Sequence, residues 1–512
     1  MFKRILVANR GEIAVRIIRA CRELDIESVA IYSEADREAL HVKYADYSYP
    51  VGEAPSTESY LRIDRVIDTA RKSRAEAVHP GYGFLAENPA FARACDEAGI
   101  VFLGPSPEVI KQMGDKIHAR SLMKKAGLPV IPGSDDILSS EEEVLETAEA
   151  IGYPCVLKAV AGGGGKGMRR VESSDEIHSA YRAARSEAAS SFGDSRLYVE
   201  KYLERCRHIE VQLLADIYGK VLHLYTRECS IQRRHQKIIE ECPAPTIDLR
   251  MQKAMGKTAA QGARALGYTG VGTMEFLVDR HKNYYFLEMN TRLQVEHAIT
   301  ERVMGIDLVK AQINVAAGTP LPWSQRQIRP TGHAIECRIY AEDPETDFMP
   351  CPGKIEGLRL PEGFGIRNDC GVYEGAEIPI HYDPMIAKLI VWGEDRAEAI
   401  RRLKRALREY QVRGVKTNIP FHQWMLRHPQ FIEGDVYTGF VDEQRGFMGM
   451  EQVYPDRHVA LASAAIVALH REQERALRML EKGAAEQSEW REAGRRESLQ
   501  RHAGVSGAGR GW

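Results

Sequence analysis

Two extended runs in the middle of the chain, residues 273–279 and 284–290, flank a four-residue polar loop. Both runs are rich in the aromatic, β-branched and other apolar residues that favour strands, and together they predict an antiparallel hairpin. If the two residues that flank the loop pair with each other, Glu275 lies directly opposite Glu288. Like charges about 5 Å apart across a hairpin repel each other unless a divalent cation lies between them. The hairpin therefore predicts a magnesium site that also accepts phosphate oxygens; the alternative is two solvated surface carboxylates.

Polar residues continue to alternate with apolar ones beyond the hairpin. The even-numbered positions hold a carboxylate, an amide, a guanidinium, an amide and a carboxylate, namely Glu288, Asn290, Arg292, Gln294 and Glu296. In an extended chain this alternation places all five polar groups on one face. A sheet face that has only a structural role rarely carries these five polar groups in this order. The segment therefore predicts a metal ligand beside an anion-binding arginine and a candidate base.

Consecutive glycines, residues 162–165, follow a predicted strand at 155–160 that contains Lys158. Neither Ser nor Thr follows Lys166, so the segment is not a Walker-type phosphate loop. Consecutive glycines let backbone N–H groups approach phosphate oxygens closely. The run predicts a flexible lid over the phosphates of a nucleotide, and a flexible hairpin without function is the alternative.

A dense basic run occupies residues 227–237. If it is extended, Arg233, His235 and Lys237 share one face and Arg234 points to the opposite side. Such a run is often a solvated face or a nucleic-acid patch. Here an apolar and acidic segment follows it, which anchors it in a fold and favours a pocket for phosphate or a small oxyanion.

Strands and helices alternate from residue 1 to about 112, beginning with a strand at 5–8 and a helix at 12–24. This order predicts a parallel sheet with helices on its faces. The first strand-to-helix turn lacks the G-x-G-x-x-G pattern, which argues against a nicotinamide dinucleotide site. The chain of 512 residues is long enough for about three domains, so the predicted fold class is multi-domain, mixing α/β and α+β parts.

Later segments are less regular. We predict a helix at 107–126, a strand-rich segment after Pro330 with a strand at 333–343, and an amphipathic helix at 459–480. The remaining residues to the C-terminus are rich in Glu, Arg, Ser and Gly and predict a flexible tail.

Composition excludes several classes of function. The formal net charge is −2, which provides no overall attraction to nucleic acid or to an anionic membrane. The nine cysteines form no C-x-x-C pair, which argues against a disulfide framework or a zinc site and indicates a reducing cytoplasm. No apolar run approaches the roughly 18 residues that span a bilayer.

Five motifs together resemble the biotin carboxylase family. They are Asn-Arg-Gly-Glu-Ile-Ala at 9–14, His-Pro-Gly-Tyr-Gly-Phe-Leu-Ala-Glu-Asn at 79–88, the glycine segment 158–167, the basic segment 229–237, and Glu-Met-Asn-Thr-Arg-Leu-Gln-Val-Glu-His at 288–297. The resemblance covers about residues 1–445 and implies an ATP-grasp fold. The expected domains are a Rossmann-like N-terminal domain at 1–112, an ATP-grasp domain at 113–330 with a mobile lid at about 131–203, a C-terminal domain at 331–446, and the tail at 447–512.

The resemblance also implies the role of individual residues. ATP is expected to contact Lys116, Lys158, Gly164, Gly165, Glu200, Lys201, Leu203, His208, His235, Glu275 and Glu288. Mg²⁺ or Mn²⁺ is expected at Glu275, Glu288 and Asn290. Bicarbonate is expected at Lys237, Arg292, Gln294, Val295 and Glu296, and biotin at Arg338 and Tyr82. Lys237, Arg292, Glu296 and Arg338 are the expected catalytic residues. Cys229, beside this set, is better explained as a buried structural thiol than as an acid or base.

The implied reaction has two steps. Glu296 deprotonates bicarbonate, which attacks the γ-phosphoryl group of ATP to give carboxyphosphate and ADP. Carboxyphosphate, oriented by Arg292, breaks to CO₂ and phosphate. Phosphate then takes the N1′ proton of biotin, Arg338 stabilises the ureido oxygen, and N1′ captures CO₂.

The same resemblance implies partners. The chain contains no Ala-Met-Lys-Met or Val-Met-Lys-Met sequence, so we expect biotin to arrive on a separate biotin carboxyl carrier protein. A carboxyltransferase subunit would complete the enzyme, as in fatty acid biosynthesis by acetyl-CoA carboxylase, and the chain is expected to form a homodimer. Acetyl-CoA, propionyl-CoA and pyruvate stay open as acceptors.

Departures from the family are few, since Ala298 replaces a usual proline and the 280–283 loop has one extra residue. Two other functions are alternatives. One is a different ATP-grasp ligase that joins a carboxylate to an amine, against which Arg292, Gln294, Glu296 and Arg338 argue. The other is a non-catalytic ATP-binding regulator, against which the complete set of candidate groups argues.

Overall fold

A computed structural model describes residues 1–134, 136–138, 140–160, 168–444, 457–486, 493–494 and 496–497. The chain divides into two compact units, Met1–Phe447 and Met448–Trp512. The predicted glycine lid, including Gly164 and Gly165, lies outside the described residues.

The first unit begins with a five-stranded parallel sheet in the order β3-β2-β1-β4-β5, as the alternation of strands and helices predicts. Its strands are β1 Arg4–Val7, β2 Glu27–Ser33, β3 Tyr47–Gly52, β4 Ala77–His79 and β5 Val101–Phe102. Its helices are α1 Gly11–Glu23, α2 Leu40–Tyr44, α3 Ile63–Ser73 and α4 Pro89–Glu97. The parallel strands bury Leu6, Val29 and Val78 between the helices, because connections through helices cover both faces of such a sheet.

The prediction of a single helix at 107–126 is wrong. The chain forms α5 Pro107–Gly114 and α6 Lys116–Lys125, separated by Asp115 in an extended conformation. The Asp115 side chain accepts a hydrogen bond of 2.9 Å from the His118 N–H, so it caps a new helix rather than continuing the old one.

A small lobe follows between residues 131 and 203. It contains a three-stranded antiparallel sheet in the order β7-β6-β8, packed against two helices. Its elements are α7 Glu141–Ile151, β6 Cys155–Ala159, β7 Met168–Val171, α8 Ile177–Phe192 and β8 Leu197–Lys201.

An eight-stranded antiparallel sheet forms the centre of the unit, in the order β13-β12-β9-β10-β11-β14-β21-β19. Its strands are β9 Arg207–Ala215, β10 Val221–Arg233, β11 Gln236–Cys242, β12 Gly270–Val278, β13 Tyr284–Asn290, β14 His333–Tyr340, β19 Ile366–Cys370 and β21 Met385–Gly393. The sheet continues across residue 330, because β11 pairs with β14. The helices along this stretch are α9 Leu249–Ala265, α10 His297–Met304 and α11 Leu308–Ala316.

Short elements complete the unit. The strands are β15 Glu342–Asp343, β16 Met349–Pro350, β17 Gly353–Lys354, β18 Gly357–Arg359, β20 Glu377–Ile378 and β22 Gln411–Arg413. The helices are α12 Arg396–Glu409, α13 Ile419–Met425, α14 Pro429–Glu433 and α15 Phe440–Glu443. Single-turn 3₁₀ helices lie at Glu34–Asp36, Ser56–Glu58, Ser174–Glu176 and Pro344–Thr346. The strand predicted at 333–343 is therefore two strands, β14 and β15, interrupted at Ala341.

The first and central sheets share one apolar core. Ile5 and Ile17 from the N-terminal part pack in the same buried cluster as Leu214 and Val271 of the central sheet and Val309 of α11. This shared core holds the turn between β1 and α1 beside β12 and β13, the strands that carry Glu275 and Glu288. Motifs that are far apart in the sequence are thereby brought to one site.

The second unit contains α16, Arg457–Glu486, which extends the helix predicted at 459–480 at both ends. Within the described part of the chain, no helix combines the length and apolarity needed to cross a bilayer.

Candidate active site

The predicted hairpin is β12 and β13, and Glu275 pairs with Glu288 as the sequence predicts. The pairing beside the loop differs, because Val278 rather than Asp279 pairs with Tyr284. Asp279 instead closes the loop, accepting hydrogen bonds of 2.8 and 2.9 Å from the backbone N–H groups of His281 and Asn283. A bulge between residues 275 and 276 then shifts the register by one residue and restores the predicted carboxylate pair.

The extended run predicted from Glu288 to Glu296 is wrong beyond Asn290. β13 ends at Asn290, the chain turns, and α10 begins at His297. The turn is closed by the His297 side chain, whose Nδ1 lies 2.7 Å from the Gln294 carbonyl oxygen. The turn still directs Glu296 to the same cavity as Glu288, because the chain bends around that cavity.

The basic run at 227–237 is also not one extended strand. It is a hairpin of β10 and β11, with Arg234 and His235 in left-handed conformations at the turn. The hairpin returns Lys237 to the carboxylates of the neighbouring strands. Arg233 instead lies 3.3 Å from Glu342.

Lys237 contacts three carboxylates at once. Its Nζ lies 2.9 Å from Glu275 Oε1 and 2.9 Å from Glu296 Oε1, and it also donates to Glu210. Burial lowers the pKa of Lys237, but Glu210, Glu275 and Glu296 raise it well above the usual lysine value. The ammonium is therefore charged and connects the hairpin to the candidate base.

Glu275 has a second cationic neighbour. His208 Nε2 lies 2.8 Å from Glu275 Oε2. Burial lowers the pKa of His208, but Glu275 and Glu210 raise it to about 9. For Glu288, burial together with the charge of Glu275 outweighs the nearby cations and raises the pKa. The two carboxylates thus differ, because Glu275 is held as an anion while Glu288 is destabilised in its charged form.

This donor set fits a divalent cation. Glu275, Glu288 and the Asn290 amide provide oxygen atoms at one end of the hairpin, and oxygen ligands are those that Mg²⁺ prefers. Desolvation and the facing charge of Glu275 together raise the pKa of Glu288, whose side chain is half-buried, and a cation between the two carboxylates would relieve their repulsion.

Glu296 is held between two cations. Beside Lys237, Arg338 donates from Nη2 to Glu296 Oε2 at 3.0 Å. Burial raises the pKa of Glu296, but Lys237 and Arg338 outweigh this effect and lower it below the usual value. The carboxylate is therefore ionised, which is the state in which it can accept a proton.

Arg338 is in turn fixed by Glu240, whose Oε1 accepts from Nε at 2.6 Å. Arg292 is oriented from the other side, donating to Glu87 Oε2 at 2.7 Å and to Asn290 Oδ1 at 2.8 Å. Both guanidinium groups are thus supported by carboxylates or amides, and both line the cavity beside Glu296.

These groups line a cavity of about 480 Å³ between the small lobe and the central sheet. Of the predicted ATP contacts, it is lined by Lys116, Lys158, Lys201, Leu203, His208, His235, Glu275 and Glu288. All the predicted metal and bicarbonate residues also line it. Glu200 does not, since it is buried behind Lys158 and accepts its hydrogen bond at 2.5 Å.

A second cavity of about 510 Å³ lies beside the first strand-to-helix turn. Tyr82 lines this cavity and not the first, while Arg338 lines both. Arg292 and Val295 are also shared. The predicted biotin residues therefore lie where the second cavity meets the bicarbonate residues.

Several charged groups at or beside the candidate site were not predicted from the sequence. Glu210 and Arg227 are fully buried in the central sheet and paired at 2.9 Å, and Glu87, Glu240 and Lys388 contact predicted site residues. The alternation of His208, Glu210 and Gln212 with apolar residues in β9 is the signal that could have revealed Glu210.

Three family models match the chain. They are the biotin carboxylase N-terminal domain at residues 1–110, the ATP binding domain of the carbamoyl-phosphate synthase L chain at 115–324, and the biotin carboxylase C-terminal domain at 336–443.

Curated relatives are similar over most of their length. A pyruvate carboxylase subunit of Methanothermobacter thermautotrophicus is 57% identical over 445 residues, which cover 87% of this chain and 90% of that protein. The biotin carboxylase of Halalkalibacterium halodurans is 54% identical over 441 residues, covering 86% and 97%.

Solved structures share the fold. The biotin carboxylase domain dimer of Hydrogenobacter thermophilus 2-oxoglutarate carboxylase, in complex with MgADP, ADP and bicarbonate, has a TM-score of 0.84 and 49% identity, covering 87% of this chain and 98% of that one. The Campylobacter jejuni biotin carboxylase in a β,γ-ATP complex also has a TM-score of 0.84, with 48% identity and 86% and 99% coverage. The predicted three-domain fold with a central ATP-grasp domain is confirmed. The chain belongs to the biotin carboxylase family of ATP-dependent ligases.

Proposed function

We propose that this chain uses ATP and bicarbonate to carboxylate biotin held on a separate carrier protein. The observation that supports this most is the position of Glu296. Its ionised carboxylate lies in the first cavity between Lys237 and Arg338. Arg338 also lines the second cavity, so the base lies one side chain away from a space open to a ring-sized substrate. A base between two cations suits a small oxyanion such as bicarbonate.

ATP would occupy the first cavity. Lys116, Lys158 and His208 would bind its phosphates, and Leu203 with neighbouring apolar side chains would contact the adenine. Lys201 and His235 also line this cavity. Glu200 would act indirectly, by holding the Lys158 ammonium in place.

A divalent cation would be held by Glu275, Glu288 and Asn290. When bound, it would neutralise charge on the phosphate oxygens during phosphoryl transfer. Lys237 would supply a fixed positive charge between these ligands and the bicarbonate position.

Bicarbonate would bind beside Arg292, Gln294 and Val295, where Glu296 removes its proton. The nucleophile then attacks the γ-phosphoryl group, giving carboxyphosphate and ADP. Carboxyphosphate splits into CO₂ and phosphate, phosphate accepts the N1′ proton of biotin, and N1′ then attacks CO₂ to form carboxybiotin. Arg338 would stabilise the negative ureido oxygen from its position in both cavities.

The ranges of the three family matches support the domain limits 1–112, 113–330 and 331–446, and the division after Phe447 supports 447–512 as a separate unit. The lobe at 131–203, which has its own apolar core, would act as a lid. We also propose that the chain is part of a multi-subunit carboxylase, with a biotin carboxyl carrier protein and a carboxyltransferase as partners. A homodimer is supported by the dimeric state of the Hydrogenobacter domain. All nine cysteines are free and eight are buried, which agrees with a cytoplasmic location.

Substitution of Arg338 tests this assignment. Arg338→Ala should reduce carboxybiotin formation much more than bicarbonate-dependent ATP cleavage, because the arginine is assigned to the second step and Lys237 still holds Glu296 as an anion for the first. Lys354→Met, at an exposed lysine, is the control. ADP release and ¹⁴C-carboxybiotin are measured in parallel, and equal losses of both would assign Arg338 to the first step or to the fold.

A further inference from the structure

A fully buried lysine lies behind the candidate active site and lines neither cavity. Lys388 is on β21, directly opposite Arg338 on β14 and Asp369 on β19. A buried ammonium costs several kcal/mol unless partners compensate for lost hydration, so such a group needs an explanation.

The contacts of Lys388 reach two other parts of the molecule. Its Nζ donates to the Val295 carbonyl oxygen at 2.6 Å and lies 3.4 Å from Glu12 Oε1. Asp369 Oδ2 is farther, at 3.9 Å. Val295 lies in the turn that carries Glu296, and Glu12 lies in the first helix, α1.

Glu12 extends this contact to the second cavity. The Tyr82 hydroxyl donates to Glu12 Oε1, the same oxygen that faces Lys388. The path from the proposed biotin residue to the bicarbonate turn is thus Tyr82, Glu12, Lys388 and Val295, through polar contacts only.

The charges around Lys388 keep it protonated. Burial lowers its pKa, but Glu12, Glu336 and Asp369 raise it above the usual lysine value, against the opposing effect of Arg367. Asp369 is already paired with Arg367 at 2.7 Å, whereas Glu12 and the buried Glu336 both have Lys388 as their foremost cationic neighbour.

We propose that Lys388 is a positioning residue that fixes the 294–296 turn for bicarbonate and couples it to Tyr82 in the biotin cavity. This inference rests on the function proposed above. Lys388 touches no substrate; it holds the Val295 carbonyl in place from one side and orients Glu12 from the other.

Two variants distinguish a role of Lys388 in positioning the 294–296 turn from a role in stabilising the fold. Lys388→Met keeps the length of the side chain but leaves the Glu12 carboxylate without a cation. Lys388→Met combined with Glu12→Gln removes the buried ammonium together with its nearest carboxylate and should recover thermal stability. Lys354→Met, at an exposed lysine of β17, is the control for loss of a lysine.

For both Lys388 variants we expect the KM for bicarbonate in ATP cleavage to rise about tenfold or more, because the turn is no longer fixed. The dissociation constant of a non-hydrolysable ATP analogue should stay within about twofold, because Lys388 does not line the nucleotide cavity. The control should match the parent in all readouts.

The double variant decides the outcome even if Lys388→Met fails to fold. A double variant with recovered thermal stability and a parental KM for bicarbonate would overturn the proposal, since Lys388 would then only stabilise the fold. A parent protein without bicarbonate-dependent ATP cleavage would instead contradict the proposed function itself.

Discussion

At the scale of single residues, Glu296 is the group on which the chemistry depends. Glu296→Gln preserves the shape of the side chain but cannot accept the proton of bicarbonate. We expect bicarbonate-dependent turnover to fall at least about 100-fold, while the affinity for ATP stays close to that of the parent. Single-turnover ADP formation and nucleotide-analogue binding measure the two effects, and near-normal turnover would remove Glu296 from the role of base.

Glu228, a buried carboxyl group on β10, allows a pH prediction. It accepts hydrogen bonds from Ser230 and, at 2.5 Å, from Thr246, and burial raises its pKa from 4.5 to about 7 despite Arg207 nearby. Between pH 4.5 and about 7 this carboxyl group is therefore protonated in the folded state but ionised in the unfolded state. Its contribution to the free energy of unfolding falls as pH rises through this range.

Glu228→Gln should remove this dependence, because glutamine is neutral at every pH. Relative to the parent, the variant should gain up to about 3 kcal/mol between pH 5 and pH 8, seen as a rising difference in melting temperature. Glu433→Gln, at an exposed glutamate, is the control. A difference in melting temperature that stays constant with pH would show that Glu228 is ionised in the folded protein.

At the scale of elements, the β12–β13 hairpin shows which features of a strand pair the alternation of apolar and polar residues can predict and which it cannot. The predicted pair Glu275–Glu288 is present, although the predicted register beside the loop is wrong by one residue and only the bulge between residues 275 and 276 restores it. The bulge beside Glu275 and the Asp279 loop were not predicted, since both depend on local hydrogen bonds that residue type does not specify.

The same limit applies to the segment after Asn290 and to residues 227–237, which form the turn region of the β10–β11 hairpin. Alternation continues to Glu296 in the sequence, yet the strand ends early because α10 packs against β14 and β21. The partners of Lys237 come from other segments of the chain, and contacts across such sequence distances cannot be predicted from one segment. The family resemblance, not periodicity, identified the roles of these residues.

Glu288→Gln tests the interpretation of the hairpin as a cation site. It removes one of two facing carboxylates, so productive Mg-ATP binding should weaken. In the metal-free protein the same change relieves repulsion, and the melting temperature in chelator should rise or stay unchanged. Glu374→Gln, at an exposed position, is the control. A large loss of metal-free stability would mean that Glu288 is a structural partner of a basic group.

At the scale of the whole molecule, the cavities and the residues assigned to them all lie in the unit Met1–Phe447. A chain that ends after Phe447 should therefore carboxylate free biotin within about twofold of the full-length rate, because a compact unit retains its own core. Rates on free biotin and on a biotinylated carrier protein are compared for both lengths. A large loss on free biotin would show that the second unit supports the catalytic one.

The proposed reaction transfers a carboxyl group from bicarbonate to biotin on another protein. The most direct measurement incubates the purified chain with Mg-ATP, ¹⁴C-bicarbonate and a biotinylated carrier domain, and follows label and ADP together. We expect ADP release that requires bicarbonate, with acid-labile label on the carrier and none on the chain. No label on the carrier, or covalent biotin on the chain itself, would contradict the proposed function.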